Sequence, residues 1–369
     1  MTEWKECLLG DLITFQRGHD LPKSKMSGNG YPVVGSNGII GFHNEYTTEC
    51  PSITVGRSGN VGKPYIVYGR SWSHNTSLYI KEFKGTDPVF IYYFLQTLDL
   101  GNYAGGSAVP TLNRNHIHSL NVRVPADISI QKIIANTLKV LDDKIDKNTA
   151  INKNLEQQAQ AIFANEFLSL DTLPEGWKKA SLIDIANYLN GLAMQKYRPT
   201  ADESGIPVLK IKELRQGCCD DNSELCSPSI KSDYIIHDGD VIFSWSGSLL
   251  VDLWSGGICG LNQHLFKVTS NKYDKWFYYA WTKHHLDRFV AVAADKATTM
   301  GHIKRDELAK AEVLIPNEAD YNRIGALLQP IYEMLISNRI ENKKLAATRD
   351  TLLPKLMNGE IDMSEVDYE

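Results

Sequence analysis

The segment nearest to a reactive motif is Gly56-Arg57-Ser58-Gly59-Asn60-Val61-Gly62-Lys63-Pro64. A nucleotide-phosphate loop needs a glycine five positions before Gly62 and a Ser or Thr after the lysine to hold magnesium. Arg57 and Pro64 stand at those places, so the segment reads as a turn between strands. Cys218, Cys219 and Cys226 lie close together but offer neither a CxxC pair nor a spaced histidine. They read as loop and core thiols, and no metal is expected. The chain has no GxSxG elbow, no HExxH and no EF-hand loop. It also lacks the Asn/Asp-Pro-Pro-aromatic motif of amino-methyltransferases, a glycine-rich cofactor loop and an acidic-plus-lysine nuclease core. No catalytic residue and no cofactor is therefore expected.

The polar loops point to a different chemistry. Arg57, Ser58, Asn60 and Lys63 are followed by His74-Asn75 and then by Thr111-Leu112-Asn113-Arg114-Asn115-His116. Farther along come Trp245, Ser246 and Ser248, then Asn262-Gln263-His264, then Lys296, Thr298, Thr299, His302, Lys304 and Arg305. Arg, Lys, Asn and Gln carry donors suited to guanine and adenine edges in the major groove. Ser, Thr and backbone amides suit phosphates. Asn, Gly and Ser also form ordinary turns, so no single residue carries the reading. Its strength is that polar loops fall at corresponding places twice. The aromatic runs Tyr92-Tyr93-Phe94 and Trp276-Phe277-Tyr278-Tyr279 could stack on bases, but at helical spacing among apolar residues they read as core.

The elements holding these loops are duplicated. Trp4-Lys5 with Leu9-x-Asp11-Leu12 matches Trp177-Lys178 with Leu182-x-Asp184-Ile185, and Gly30-Tyr-Pro32-Val33 matches Gly205-Ile-Pro207-Val208. Ile53 to Asn60 resembles Val241 to Ser248, and the His74 to Ile80 block resembles Leu261 to Phe266, with Asn75 set against Asn262. Val122-Arg-Val124-Pro125 matches Val313-Leu-Ile315-Pro316. The blocks keep their order, which marks a tandem repeat. Each repeat opens with short β-branched and aromatic runs between Gly, Asn and Ser, which predict strands. Short helices are expected over Pro88 to Leu98 and Tyr273 to Phe289, and each repeat closes on a long helix.

The long helices share one register. Ile134, Leu138, Leu141, Ile145, Asn148, Asn152, Leu155, Ala159 and Ile162 alternate in steps of three and four. Ile324, Leu328, Ile331, Leu335, Asn338, Asn342, Leu345, Arg349 and Leu352 repeat the pattern, each 190 positions later. This is a coiled-coil seam, and asparagines within one fix register and partner at a cost in stability. The two helices are expected to pair antiparallel within the chain. One running from Ile130 to Phe167 would be ~57 Å long and could act as a ruler between two similar domains.

Composition agrees with a folded, two-domain chain. Of 369 residues 43% are hydrophobic, enough for real cores, and no apolar run is long enough to span a membrane. Six cysteines in a chain of this size suggest a reducing cytoplasm over a disulfide framework. The net charge of −5 argues against a simple basic nucleic-acid binder. That charge is uneven: Glu360, Asp362, Glu365, Asp367 and Glu369 crowd the tail, leaving room for a locally basic cleft.

With duplication and helices in hand, the chain resembles the specificity subunit of type I restriction–modification enzymes over essentially its whole length. The diagnostic stretches are Val241-Ile-Phe-Ser-Trp-Ser-Gly247, Leu261-Asn262-Gln263-His264-Leu265-Phe266, and Ala297-Thr298-Thr299-Met300-x-His302-Ile303 leading to Pro316. The first repeat departs, with Ser107-Ala-Val-Pro110-Thr111 in place of the Thr-Thr-Met segment. The resemblance implies two tandem mixed α/β target recognition domains, joined by two long helices in an antiparallel coiled coil with a pseudo-two-fold. It places them at 1–125 and 169–316, with spacer helices at 126–168 and 317–357 and an acidic tail at 358–369. It further implies a bipartite site on double-stranded DNA and two modification subunits that bring S-adenosylmethionine chemistry. It leaves room for restriction subunits that bring ATP-driven cleavage. The residues alone leave two other classes open. A single-chain DNA methyltransferase lacks its cofactor loop here, and a coiled-coil scaffold without DNA binding would not need matched polar loops.

Overall fold

The computed structural model describes residues 2–106, 110–295, 303 and 305–364. The first repeat runs β1 (Trp4–Leu8), α1 (Leu9–Leu12), β2 (Ile13–Arg17), β3 (Tyr31–Gly35), β4 (Gly38–His43), β5 (Ser52–Gly56), β6 (Pro64–Val67), β7 (Trp72–Ser73) and β8 (Ser77–Phe83). It continues with α2 (Pro88–Gln96), β9 (Ala104–Gly105), β10 (Thr111–Leu112), α3 (Arg114–His118), β11 (Asn121–Pro125) and α4 (Ile128–Phe163). The second repeat runs β12 (Lys178–Ser181), α5 (Leu182–Ile185), β13 (Asn187–Asn190), β14 (Ile206–Leu209), α6 (Ile211–Gln216), β15 (Leu225–Cys226), β16 (Ile235–Ile236), β17 (Val241–Ser244), β18 (Leu250–Leu253), β19 (Cys259–Leu261) and β20 (Leu265–Thr269). Helices α7 (Lys275–His284), α8 (Leu286–Asp295) and α9 (Arg305–Ala309) follow, then β21 (Glu312–Ile315) and α10 (Glu318–Asn358).

Sheet topology repeats with the sequence. The order β2-β8-β5-β6 is matched by β13-β20-β17-β18. The end strands close each domain as β1 with β11 and β12 with β21. Each repeat has a parallel strand pair among its described residues, β3 with β7 and β14 with β19. Strands β5 and β17 are buried at every position, as central strands should be.

Backbone hydrogen bonds correct one block of the sequence alignment by a residue. Gly18 N donates to Ser77 O and Gly191 N to Leu265 O, while Ser77 N donates to His74 O and Leu265 N to Asn262 O. His74 therefore corresponds to Asn262, and Asn75 to Gln263. Matching the identical asparagines misplaced the turn, because the buried site of Ser77 is taken by Leu265 in the second repeat.

Helix ends differ slightly from expectation. The first long helix begins at Ile128, where Asp127 Oδ1 accepts from Ser129 N at 2.8 Å. It widens into a π-helical turn over Ala164–Leu168. The expected Tyr273 to Phe289 helix is two helices, divided at His285. The aromatic runs are core: Tyr93, Phe94, Trp276, Phe277, Tyr278, Tyr279 and Trp281 are all buried.

By compactness the chain forms two units, residues up to Lys144 with those from Leu345 onward, and Ile145–Lys344. Each holds one half of α4 against one half of α10, running antiparallel. In the first unit Leu138 shares a core with Phe15, Ile53, Phe90, Leu353 and Leu356. Arg349 Nη1 there donates to Asp142 Oδ1 at 2.5 Å, and Tyr93 Oη to Asp142 Oδ2 at 2.6 Å. In the second, Ala159 and Phe163 pack with Leu328 and Leu335 over Phe243, Phe277 and Trp281, with Leu155 and Ile331 at the margin. Leu141, Ile145 and Leu345 are half-buried.

The asparagines form a ladder. Asn148 Nδ2 donates to Asn342 Oδ1 and Asn338 Nδ2 to Asn152 Oδ1, both at 2.9 Å. Asn152 Nδ2 donates to Leu335 O at 3.2 Å and Asn342 Nδ2 to Ile145 O at 3.4 Å. Adding 190 to the α4 partner of each bond, and subtracting it from the α10 partner, gives the other bond of the pair. The ladder is thus two-fold symmetric in its own bonding.

Candidate functional site

Three loops converge in each repeat through the same backbone bonds. Arg57 N donates to Thr76 O at 2.8 Å, and Leu112 N donates to Arg57 O at 2.9 Å. In the second repeat Trp245 N donates to His264 O at 3.4 Å, and Ile303 N donates to Trp245 O at 3.0 Å. Leu112 and Ile303 are buried plugs, exposed by 1% and 2%, and each is held by its main chain against the loop after the central strand. The chain leaving β2 or β13 must cross the middle turn closely. A Cβ on Gly18 would lie 2.1 Å from His74 O, and one on Gly191 would lie 2.2 Å from Asn262 O. Only glycine fits at those crossings.

In the first repeat the loops wall an open groove of about 700 Å³. Arg17, Arg57 and Arg114 line it with Gln16, Asn113 and Thr111, and no carboxylate does so among the described residues. Arg57 is half-buried and Arg114 is exposed. Ser58 forms an isolated bridge to Thr111, which holds the two strand ends side by side. Asn113 caps α3, its Oδ1 accepting from Asn115 N at 3.0 Å. Asn60 Nδ2 donates to Tyr65 Oη at 3.2 Å, and exposed Lys63 lies over the Tyr65 ring. His74 Nδ1 meets the Thr76 hydroxyl at 3.0 Å, and Asn75 Nδ2 donates to Asp20. The segment 56–64 joins two strands and precedes no helix, so it is the turn the sequence implies.

Behind the groove, Phe15 N donates to His118 Nε2 at 2.9 Å. Burial first, then Lys84 and Arg114, holds this imidazole below its ordinary range. That agrees with a neutral ring whose Nε2 accepts.

In the second repeat Trp245 is half-buried, and its Nε1 donates to Asn190 Oδ1 at 2.9 Å. Ser248, Gln263 and His264 retain exposure. Arg305 Nη2 donates to Tyr188 O at 3.1 Å, so part of its guanidinium serves the fold. Two candidates are less accessible than the others. Ser246 is buried with Oγ 3.1 Å from His264 Nδ1, and Asn262 is buried with Oδ1 accepting from His264 N at 3.2 Å. Both side chains help to shape the turn they sit in. Lys296, Thr298, Thr299, His302 and Lys304 lie outside the described residues.

The sequence reading missed Gln16, Arg17 and Asn190. For Arg17 and Asn190 the signal was the place before each crossing glycine, Arg17-Gly18 and Asn190-Gly191, separated by the same interval as the leading tryptophans. Cys226 and Cys259 are buried, and Cys218 and Cys219 half-buried. Among the described residues no cluster of His, Cys, Asp or Glu could hold a metal ion. Nor is any helix there long and apolar enough to cross a membrane.

Comparison with known proteins is consistent across sequence and structure. A family model described as the type I restriction modification DNA specificity domain matches residues 1–157 and 174–346. The type I restriction enzyme MjaIX specificity subunit of Methanocaldococcus jannaschii is 26% identical over 306 residues, covering 75% of this chain and 70% of that protein. The HindI specificity subunit of Haemophilus influenzae is 20% identical over 356 residues, covering 74% and 77%. The crystal structure of a type I restriction–modification S subunit from M. genitalium aligns with a TM-score of 0.66 at 15% identity. It covers 98% of this chain and 97% of its own, and at that identity it speaks to fold.

Proposed function

As this chain belongs to the type I restriction–modification DNA specificity family, it is a non-catalytic subunit that sets DNA sequence specificity, and we propose that the two loop clusters above are its readers. Each cluster takes one half of a bipartite duplex site. Methyl transfer comes from two modification subunits that carry S-adenosylmethionine, and restriction subunits can add cleavage to the same complex. The work is done in the cytoplasm, where the DNA is.

The observation that carries the proposal is the repeated convergence. In both repeats identical backbone bonds tie the loop after the central strand to the middle turn and to a buried apolar residue, Leu112 or Ile303, while the side chains at 57 and 245 differ. A shared frame with unlike side chains suits two recognition domains that read unlike half-sites. It also fits an acidic chain, because the first groove is lined by arginines without a carboxylate among its described residues. Phosphate contacts need such local positive charge and not a basic protein.

The test is reconstitution with the cognate modification subunits and long-read methylation mapping of a mixed-sequence DNA. A single two-part motif should be methylated, and purified chain given S-adenosylmethionine alone should methylate nothing. Methylation without sequence restriction, or methyl transfer by the chain alone, would overturn the proposal.

A further inference from the structure

Two matched positions in the shared part of the frame carry unlike side chains in the two repeats. Arg17 ends β2 opposite Leu78, and Asn190 ends β13 opposite Phe266. Arg57 and Trp245 occupy the equivalent place after the central strand, fixed by their matching bonds to the other two loops. In the second repeat these positions close on each other. The Trp245 indole donates to Asn190 Oδ1 at 2.9 Å and lies on the Phe266 ring, with centroids 5.6 Å apart at 29°.

In the first repeat the same positions hold two guanidiniums on one groove, joined by Arg114. The acid nearest Arg17 is Asp20, at 3.8 Å and largely exposed, so it offers little neutralisation. Like charges gathered with a single exposed acid at their edge are unfavourable until an electron-rich partner meets them. Guanine O6 and N7 are the bidentate acceptor that the guanidinium fork fits best, and Leu78, the counterpart of Phe266, lines the same groove.

We infer that positions 17 and 57, with their counterparts 190 and 245, are a specificity-determining pair, and that Arg17 and Arg57 read guanine in the half-site of the first repeat. The inference rests on the DNA-reading role proposed above. In the second repeat the indole–amide pair presents an apolar face and an edge already bonded, so it does not select guanine.

The experiment transplants the pair in the complex with modification subunits. At the sites that Arg17→Asn with Arg57→Trp still methylates, the second half-site should be unchanged. The double variant should relax a guanine requirement at one or two positions of the first half-site. Arg57→Gln and Arg17→Gln, each alone, should lower preference for the cognate base roughly five- to hundredfold at one position. They also serve should the double variant not fold. An unchanged first half-site in active variants would overturn the inference. So would uniform weakening across all sequences with the salt slope reduced by about one, the mark of a phosphate contact. The proposed function fails separately, if the unaltered complex shows no sequence-restricted methylation.

Discussion

Loss of Arg339 should cost the second unit more than loss of an exposed arginine would. Arg339 sits on α10 where α4 and β18 approach. Its Nη1 donates to Asp252 Oδ1 at 2.8 Å and to Leu253 O at 3.2 Å, and its Nη2 donates to Glu156 Oε1 at 2.9 Å. The Arg339 side chain is 27% exposed, Asp252 26% and Glu156 41%. Breaking a fully buried pair costs about 3–5 kcal/mol, and an exposed pair about 0–1 kcal/mol. This triad lies between those limits, so Arg339→Met, which keeps the apolar stem, should destabilise by about 2–3 kcal/mol. Most of that comes from carboxylates left unpaired in a poorly solvated place. Neutralising them in Arg339→Met/Asp252→Asn/Glu156→Gln should return stability to within about 1 kcal/mol of the starting protein. Urea unfolding of the whole chain by tryptophan fluorescence is a suitable assay. Trp177, Trp245, Trp254, Trp276 and Trp281 lie in the second unit, against Trp4 and Trp72 in the first, so the signal reports mainly the right transition. A triple variant as unstable as Arg339→Met would refute the reasoning.

Three further outcomes follow from particular contacts. Asn148→Leu should destabilise by about 1–3 kcal/mol, because it strands Asn342 Oδ1 in the seam; Asn148→Leu/Asn342→Leu should recover much of this, and strict additivity in a double-mutant cycle would count against the ladder. Gly18→Ala and Gly191→Ala should both destabilise strongly, since each Cβ would meet main chain; a thermal shift near zero at either site would contradict the close crossing. His118 has its folded pKa depressed, so the stability it contributes is complete above its ordinary value of 6.5 and is lost as pH falls through the lower folded value. His118→Gln, which can still accept from Phe15 N, should flatten that slope in the first unit; an unchanged slope between pH 5 and 7 would exclude His118 as its source.

The duplication, the long antiparallel helices and the buried aromatic runs were legible because each rests on a period or an order of apolar residues. The middle turn was misread by one residue because alignment followed the identical Asn75 and Asn262, whereas the backbone sets His74 opposite Asn262. The burial of Ser246 and Asn262 was not legible, because nothing local in sequence reports that a polar side chain is folded back into its own turn. Arg17 and Asn190 were missed for the converse reason. They end strands, and only the tertiary crossing at the next glycine brings them beside a loop some 40 to 55 positions away.

The bonds that hold each frame explain how one fold can carry two specificities. The tie between long helix and short helix is made twice with different chemistry. Gln131 Oε1 accepts from Asp87 N at 3.0 Å in the first repeat, and Tyr321 Oη accepts from Asp274 N at 2.8 Å in the second. The convergence of the three loops uses main-chain atoms on both sides. Sequence change at 57 or 245 therefore leaves the frame intact while altering what it presents. A frame built instead from side-chain contacts would drift whenever its reading residues changed. Arginines can accumulate in one groove and an indole–amide pair can close the other, and the strand order stays the same in both.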